Sequence, residues 1–253
     1  MTTTFYLINL DGSDLRLKQS TERLMEQGIT FERIPAVLGV ALSEEERDKN
    51  YSHKLNEKQY YYPLSPAQIG CYMSHRKAWQ KIADGDEAFG VVLEDDFILP
   101  GDLNKAVETI KGLEFDWDVI KLAAYANRER PVEFKHKIND HFDIVVHKKP
   151  MSGGAATAIT KEAARQLLAS TTPFGRPCDT DIQHFWERGV EVLSLMPYPV
   201  SQDMRYESTI ETKSHKKDKK PVKRLFQQIS QHWLNSKAVK EQVKKLQQQL
   251  RSH

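Results

Sequence analysis

The hydrophobic positions of this chain form short strand-like runs that alternate with longer helix-like stretches. Residues 5–10 and 89–93 are apolar runs rich in β-forming residues, and an acidic residue follows each of them. Between such runs, apolar residues recur at spacings of three and four, which predicts amphipathic helices. The expected strands are residues 5–10, 31–37, 89–93, 117–124, 144–147, 155–159 and 190–195, and the expected helices are 14–27, 66–83, 103–110, 161–169 and 177–188. This alternation predicts an α/β fold with a mostly parallel central sheet.

The clearest helix boundary in the sequence lies at Ser65. A serine at this place can accept hydrogen bonds from the free backbone N–H groups of the first turn, and Pro66 suits the first helical position. Gln68 stands three residues after the serine, where it completes a capping box. These signals predict that a helix begins at Pro66.

The C-terminal residues differ in charge from the rest of the chain. Residues 213–253 contain twelve Lys or Arg and two acidic residues, a net charge of +10, whereas residues 1–212 carry −8. After a charged linker, apolar residues at three- and four-residue spacings predict two amphipathic helices, one through Leu225 and Trp233 and one through Val239 and Leu246. We therefore expect an α/β domain over residues 1–212 and a basic linker with amphipathic helices over residues 213–253.

Composition excludes several classes of protein. Hydrophobic residues make up 39% of the chain, which rules out a chain disordered throughout. No apolar run approaches the roughly 18 residues that cross a bilayer, and the N-terminus lacks the basic start of a secretory signal. The two cysteines, Cys71 and Cys178, do not suggest a disulfide scaffold and fit reduced cytosolic thiols. We expect a cytoplasmic protein whose basic tail favours an anionic partner.

Glu94, Asp95 and Asp96 follow a strand that is apolar throughout, and they are the sharpest chemical feature of the sequence. The carboxyl ends of strands in open α/β sheets are where such folds bind ligands. Three adjacent carboxylates repel one another, and a cation that prefers oxygen ligands, Mg²⁺ or Mn²⁺, would relieve that repulsion. The alternative is an acidic turn that is simply exposed to water.

The sequence around this triplet resembles a known enzyme family. Residues 70–79 read G-C-Y-M-S-H-R-K-A-W and residues 91–96 read V-V-L-E-D-D. This pair resembles the signature of glycosyltransferase family 25, the bacterial lipooligosaccharide β-galactosyltransferases, in which G-C-x-x-S-H-x-x-x-W precedes a hydrophobic strand ending in E-D-D. Further similarity extends over residues 5–203 and leaves the basic tail outside.

The resemblance implies a nucleotide-sugar-binding fold of the GT-A type with a divalent cation, Mn²⁺ or Mg²⁺. It implies an inverting transfer of galactose from UDP-galactose to a sugar hydroxyl of a lipooligosaccharide or lipopolysaccharide acceptor. Such a reaction needs a carboxylate to take the acceptor's proton and a cation to stabilise the departing UDP. The enzyme is then expected to act at the inner face of the membrane as a peripheral protein, on a lipid-linked oligosaccharide.

Candidate residues for the donor and the cation come from the strand ends and the motifs. Asp96 is expected to hold the metal, and Glu94 to contact the metal, its water or the ribose. Asp95 either joins the donor site or turns inward to brace the loop. The other expected donor-binding residues are Asn9, Leu10, Arg16, His75, Lys121, Gly153 and Gly154. For Lys121, a residue expected in a buried strand, a carboxylate or phosphate partner is predicted.

Asp179 and Asp181 are the candidates for the catalytic base. Asp179 is the one that matches the family motif, and Asp181 could instead be a charge at the N-terminus of a helix. Gln202, Asp203 and His215 are the available third metal ligands. A zinc site at Cys71 and His75 is not expected, because no other pair supplies the missing ligands.

Several alternatives remain open from the sequence. The donor could be another UDP-sugar, glucose or an N-acetylhexosamine. A different class of function is a non-catalytic scaffold that acts through its basic tail, although no nucleic-acid-binding module is recognisable and we expect no nucleic-acid partner. The tail is expected to bind an anionic membrane surface, while the spacing of Val239, Val243, Leu246 and Leu250 also allows a coiled coil and a homodimer.

Overall fold

A computed structural model describes residues 3–124, 130–203, 205 and 221–252, with only the backbone described for residues 221–230. An eight-stranded sheet forms the centre of the described fold. Its strands are β1 (Thr4–Asn9), β2 (Phe31–Pro35), β3 (Phe89–Glu94), β5 (Val119–Lys121), β7 (Val132–Lys137), β8 (Asp143–His147), β9 (Ala156–Thr160) and β10 (Val192–Met196). A smaller sheet contains β4 (Phe97–Ile98), β6 (Ala123–Ala124) and β11 (Val200–Gln202).

The large sheet has the order β2-β1-β3-β9-β5-β10-β8-β7. The pairings give six strands one direction, and β9 and β8 run against them. The fold is therefore α/β with a sheet in which most strands share a direction, although the antiparallel β9 lies at its centre. β1 and β3 are parallel neighbours with Ile8 beside Glu94, so both strands bring their carboxyl ends to one edge of the sheet.

The helices cover the faces of this sheet. They are α1 (Asp14–Glu26), α2 (Glu44–Asn50), α3 (His53–Gln59), α4 (Pro66–Asp84), α5 (Leu103–Lys111), α6 (Lys161–Ser170), α7 (Cys178–Ile182), α8 (Phe185–Arg188) and α9 (Pro221–Arg251). The predicted start of α4 is confirmed, because the Ser65 side chain accepts from Gln68 N and the Gln68 side chain accepts from Ser65 N. α4 buries Tyr72 and Trp79, and its aromatic side chains fix the helix over the core.

Several segments differ from their predicted structure. The strand expected over residues 117–124 is divided into β5 and β6, which belong to different sheets. The helix expected over residues 177–188 consists of the two short helices α7 and α8. Strands β4, β7 and β11 were not predicted, since β4 and β11 have only two or three residues and β7 is largely exposed and polar.

The tail forms one helix among the described residues, so the prediction of two helices is wrong. Val239 and Leu246 of α9 are buried in the core of the chain itself. Gln242 Nε2 donates to the carbonyl oxygen of Val192 at 2.9 Å, and Lys245 Nζ lies 2.9 Å from Glu191 Oε1. The residues that a coiled coil would use therefore pack on the chain's own sheet. The predicted linker at residues 213–220 lies outside the described residues.

Candidate active site

A small-residue cleft lies at the carboxyl edge of β3. The cleft is lined by Glu94, Ala123, Ala124, Gly153, Gly154, Ala155 and Gln202. The smaller sheet builds one side of it, because β4 follows the acidic triplet directly and β11 ends at Gln202. Because the alanine side chains are small and glycine has none, the carboxylate of Glu94 is accessible from the cleft. The edge of the sheet where the sequence predicts ligand binding is thus the edge where this cleft opens.

Asp95 points into the protein and holds the loop in place. Its Oδ2 accepts from Asn9 Nδ2 at 2.7 Å, and its Oδ1 accepts from Arg16 Nη1 at 3.3 Å. Asn9 is almost completely buried, and its Oδ1 accepts from Arg33 Nε at 3.0 Å, so its amide is used within the protein. These contacts favour a bracing role for both residues, which is one of the two roles expected for Asp95, while a donor contact of Asn9 stays a prediction. Arg16 lies beside the triplet through its contact with Asp95.

Asp96 has an incompletely satisfied carboxylate. Its Oδ2 accepts from Gln202 Nε2 at 2.9 Å, while Oδ1 is buried and has no hydrogen-bond partner among the described residues. Burial, followed by the neighbouring charge of Glu94, raises the pKa of Asp96 to about 6. A buried carboxylate oxygen beside a second carboxylate costs free energy that a bound cation would recover. The carboxylates of Asp96 and Glu94 therefore fit a divalent cation.

The other candidate ligands for that cation differ in availability. Gln202 is in contact with Asp96, so its amide is already at the site. Asp203 instead lies 2.8 Å from Arg23 Nη2 and 2.7 Å from Arg205 Nη2. The hydrogen bond from Arg205 is the main reason that the pKa of Asp203 is lowered, and both ion pairs occupy its carboxylate. His215 lies outside the described residues.

Glu94 is held by His75 from the adjacent helix. His75 Nε2 lies 2.8 Å from Glu94 Oε1, and His75 is buried. Burial opposes ionisation of Glu94, but the hydrogen bond and charge of His75 outweigh it and lower the pKa of Glu94. His75 therefore positions this carboxylate at the wall of the cleft. The contact also explains why a histidine stands one turn after Cys71 on α4.

Lys121 contacts the backbone of the glycine loop rather than a carboxylate. Its Nζ donates to the carbonyl oxygen of Gly153, and the residue is buried. Burial lowers the pKa of Lys121, while the charges of Asp179 and Glu94 act in the opposite direction. The predicted charged partner is thus replaced by a carbonyl contact, with two carboxylates close enough to influence the lysine. This contact orients the Gly153 peptide at the cleft.

The two base candidates lie in very different surroundings. Asp179 is half-buried, and its Oδ2 accepts from the backbone N–H of Gly153 at 3.4 Å, which places it beside the cleft lining. Asp181 is completely buried and accepts from Tyr72 Oη at 2.6 Å. Arg176 and Arg188 lie 3.1 and 2.8 Å from its Oδ1. These contacts indicate a structural role for Asp181 and favour Asp179 as the base, an assignment that stays a prediction.

Of the remaining candidates, Gly154 lines the cleft, whereas Leu10 has no described contact with it. Leu10 follows β1 and is partly exposed, and no described side-chain contact assigns it to the cleft. Gly154 lines the cleft, and a Cβ there would lie 2.3 Å from Glu94 Oε1 and 3.0 Å from His75 Nε2. A side chain at position 154 would therefore occupy the space that the Glu94 carboxylate needs.

Gly154→Ala should lower the rate of any reaction at this cleft by about 10²-fold, because displacing a reacting group by about 1 Å has that effect. Folding should be retained, since the displaced atom ends a partly exposed side chain. Steady-state kinetics and thermal unfolding measure the two effects. Gly112→Ala is the matched control, since a Cβ there would lie 3.6 Å from the carbonyl oxygen of Thr109, an ordinary van der Waals contact. Unchanged kinetics for Gly154→Ala would contradict the proposed position of Glu94.

The sequence predicts two contacts of this region only in part, those of Gln202 and of Cys71. Gln202 is a contact of Asp96, which only the pairing of β11 with β4 reveals. The sequence predicts no zinc site at Cys71 and His75, whereas in the structure the Cys71 thiol, a ring nitrogen of His75 and a carboxylate oxygen of Glu94 all lie within 4.8 Å of one another. The four-residue spacing of Cys71 and His75 was a visible signal, but their approach to Glu94 depends on the tertiary fold.

Comparisons with known proteins find relatives of this chain among galactosyltransferases. Procollagen galactosyltransferase 1 of Danio rerio is 25% identical over 241 residues, which cover 83% of this chain and 38% of that protein. Procollagen galactosyltransferase 2 of Mus musculus is 27% identical over 184 residues, 70% of this chain and 29% of that protein. The chain therefore spans well under half the length of these two relatives.

A bacterial relative matches over more of its own length. A Haemophilus influenzae protein whose name assigns it to the glycosyltransferases is 27% identical over 206 residues, 78% of this chain and 70% of that protein. Among the described residues, no helix is both long and apolar enough to span a membrane. The sequence model of glycosyltransferase family 25 (LPS biosynthesis protein) matches residues 2–182, most of the chain. The chain therefore belongs to glycosyltransferase family 25.

Proposed function

We propose that the chain is an inverting galactosyltransferase that moves galactose from UDP-galactose to a sugar hydroxyl of a lipid-linked lipooligosaccharide acceptor. One observation carries the proposal: Glu94 lines a glycine- and alanine-rich cleft, Asp96 contacts the lining residue Gln202, and Asp179 borders the cleft through Gly153. This arrangement supports a cation at Glu94 and Asp96 and proton transfer at Asp179. An α/β sheet with the cleft at its carboxyl edge also supports a nucleotide-sugar-binding fold of the GT-A type.

The cation side of the cleft would hold Mn²⁺ or Mg²⁺ through Asp96 and Glu94. When bound, such an ion offsets negative charge on the diphosphate of the donor. His75 keeps Glu94 ionised and oriented, and Asp95 fixes the loop through Asn9 and Arg16. Arg16 contacts the triplet through Asp95 and would supply positive charge to the diphosphate.

The acceptor side is assigned to Asp179. Its Oδ1 accepts from Thr180 N at 2.7 Å, which fixes the carboxylate, and its other oxygen faces the Gly153 N–H. In the proposed reaction Asp179 takes the proton from the acceptor hydroxyl as that oxygen attacks the anomeric carbon. The bond from that carbon to UDP breaks at the opposite face, which inverts its configuration. Lys121 orients the Gly153 peptide and adds positive charge near the carboxylates of Asp179 and Glu94.

The choice of galactose as the donor sugar and of a lipid-linked acceptor is based on the relatives and on the family description. Two relatives are named procollagen galactosyltransferases, and the description of the family names LPS biosynthesis. Because these relatives are distant, another UDP-sugar is the second candidate donor. A non-catalytic scaffold is disfavoured by the assembled carboxylates at the cleft.

A screen of nucleotide sugars tests the proposed donor. The purified chain is incubated with UDP-galactose, UDP-glucose and UDP-N-acetylhexosamines, with Mn²⁺, with Mg²⁺ or with a chelator, and released UDP is measured. We expect the fastest release from UDP-galactose and none in the chelator. Faster release from another UDP-sugar would favour the second candidate, and the absence of both UDP binding and UDP release would contradict an enzyme.

The tail supports the proposed membrane contact through one face of α9. Trp233, Lys237, Lys240 and Lys244 are exposed and recur at spacings of four and three, so they share a face of the helix. Trp233 is 67% exposed. The opposite face is buried on the domain through residues such as Val239 and Leu246. A helix fixed in this way would present an aromatic ring and three lysines to an anionic surface.

Replacing the exposed face should strongly weaken vesicle binding. Each lysine near an anionic surface contributes about 1 kcal/mol, so changing Lys237, Lys240 and Lys244 to glutamine should weaken binding by about 10²-fold. Trp233→Ser should weaken it further. Sedimentation with phosphatidylserine vesicles measures the loss, while activity on a soluble acceptor should be unchanged. Met25→Ser removes a side chain that is 69% exposed on α1 and is the matched control.

Undiminished sedimentation of the quadruple variant would contradict this membrane contact. If the parent protein itself does not bind vesicles, the tail has another role. Point substitutions are a cleaner test than deletion of residues 213–253, because deletion would also remove Val239 and Leu246 from the core.

A further inference from the structure

We propose that Cys71, His75 and Glu94 form a second metal site, selective for a thiophilic divalent cation such as Zn²⁺. The three side chains offer a sulfur, a nitrogen and an oxygen, and these atoms lie within 4.8 Å of one another. The cation-binding part of this proposal is independent of the transferase activity. Only its effect on turnover, described below, rests on the proposed function.

The fold brings the three ligands together from two elements. Cys71 and His75 are four residues apart on α4, so their side chains lie on the same face of that helix. Glu94 ends β3, and its Oε1 is already 2.8 Å from His75 Nε2. Only a small adjustment would place one ion between the three atoms, with the Glu94 carboxylate turning from the histidine to the ion.

Space and access for an ion come from the cleft. Gly154 has no side chain, and a Cβ there would approach both Glu94 Oε1 and His75 Nε2 to 3.0 Å or less. Cys71 is half-buried and Glu94 lines the cleft, so an ion can reach the site from the donor side. Three protein ligands would leave the fourth tetrahedral position for water, the pattern of an open zinc site.

The ligand types predict which cation binds. Thiolate and imidazole prefer Zn²⁺ and Co²⁺, whereas Mg²⁺ and Mn²⁺ prefer carboxylate and water oxygens. Binding at this site releases the proton of the Cys71 thiol to solvent and breaks the hydrogen bond between His75 and Glu94. The ring nitrogen of His75 that binds the ion gives up its proton to solvent or to the other ring nitrogen. No oxidant or reductant takes part. The site is therefore distinct in chemistry from the oxygen-rich pair formed by Asp96 and Glu94.

Glu94 is shared between the two sites, which has a functional consequence. An ion held by Cys71 and His75 would draw the Glu94 carboxylate away from Asp96. We therefore expect Zn²⁺ to compete with Mn²⁺ and to inhibit transfer, so that the enzyme responds to the ratio of the two cations.

Co²⁺ and Zn²⁺ titrations of the full chain test the site without turnover. We expect Co²⁺ to give a thiolate-to-metal charge-transfer band and Zn²⁺ to abolish it by displacement. Cys71→Ser should remove the band and weaken Zn²⁺ binding, measured by equilibrium dialysis, by at least about tenfold, because even outer contacts of metal ligands are worth that much. Cys178→Ser is the matched control, since the other cysteine lies outside the cluster.

A parent spectrum without a thiolate band would overturn the proposal before any variant is made. Equal Zn²⁺ affinity in the parent and Cys71→Ser, or an equal loss in Cys178→Ser, would overturn it as well. Thermal unfolding checks that the variants are folded, and Cys71→Ala provides a second substitution. In the transfer assay, Cys71→Ser should resist Zn²⁺ inhibition. If no nucleotide sugar is a substrate, the proposed function fails while the binding measurements still decide the metal site.

Discussion

Asp96→Ala should abolish sugar transfer and leave the protein folded. The Oδ1 atom of Asp96 is buried without a partner, and burial together with Glu94 raises its pKa to about 6, so the carboxylate contributes little to stability. Cation assistance supplies several kcal/mol of transition-state stabilisation, and its loss should lower kcat/KM by at least about 10³-fold. Transfer kinetics and Mn²⁺-dependent UDP binding measure the loss, and both should disappear together.

Asp86→Ala is the matched control for this substitution. Asp86 is an exposed aspartate that precedes β3, at the end of the strand away from the cleft, and its replacement should leave the kinetics unchanged. A folded Asp96→Ala protein with Mn²⁺-dependent activity would contradict the metal role. A variant that does not fold would show instead that Asp96 is needed for the structure.

Asp179→Asn should lower kcat by about 10²–10⁴-fold, the usual contribution of a general base, with little change in donor affinity. Asparagine has nearly the same shape and keeps an oxygen for the N–H of Thr180, so the local structure should survive. Pre-steady-state transfer and UDP binding separate the two effects. An equal fall in donor affinity and in kcat would show that Asp179 binds the donor rather than acting as the base.

Asp181→Asn is the contrasting variant two residues away. Asp181 is completely buried, and its charge is matched by Arg176 and Arg188. Removing that charge leaves two guanidinium groups without their shared carboxylate, and breaking a buried pair costs about 3–5 kcal/mol. We expect a lower unfolding free energy in denaturant titrations. A stable Asp181→Asn protein with a low kcat, together with a near-normal Asp179→Asn, would reverse the two assignments.

The elements that the sequence predicts well have strong local signals. The capping box at Ser65 and Gln68 fixes the start of α4 through contacts three residues apart. The apolar run before Glu94 predicts β3, because a strand buried on both faces needs no polar alternation. Strands β4 and β11 have no comparable signal, since two or three residues cannot show a period. Their pairing builds the wall of the cleft and depends on the tertiary fold.

The candidate site is likewise predicted only in part, because its place in the fold follows from the sequence and its side-chain contacts do not. Its place at the carboxyl edge of β3 follows from the triplet and the strand before it. The orientation of each carboxylate does not, because Asp95 turns toward Asn9 and Arg16, whereas Glu94 turns toward His75. Those partners are 19 to 86 residues away in the chain. Periodicity also gave α9 two apolar stretches, but only the structure shows that Val239 and Leu246 face the domain while Trp233 faces outward.

The configuration of the transferred sugar tests the central claim most directly. The full chain is incubated with UDP-galactose, Mn²⁺ and a deacylated oligosaccharide acceptor, and the new anomeric signal is observed by NMR. Because Asp179 is proposed as a base for direct attack on the α-linked donor, a single inversion should give a β-linked galactoside together with UDP. An α-linked product would contradict this role of Asp179, and the absence of transfer from every UDP-sugar would contradict the proposed enzyme.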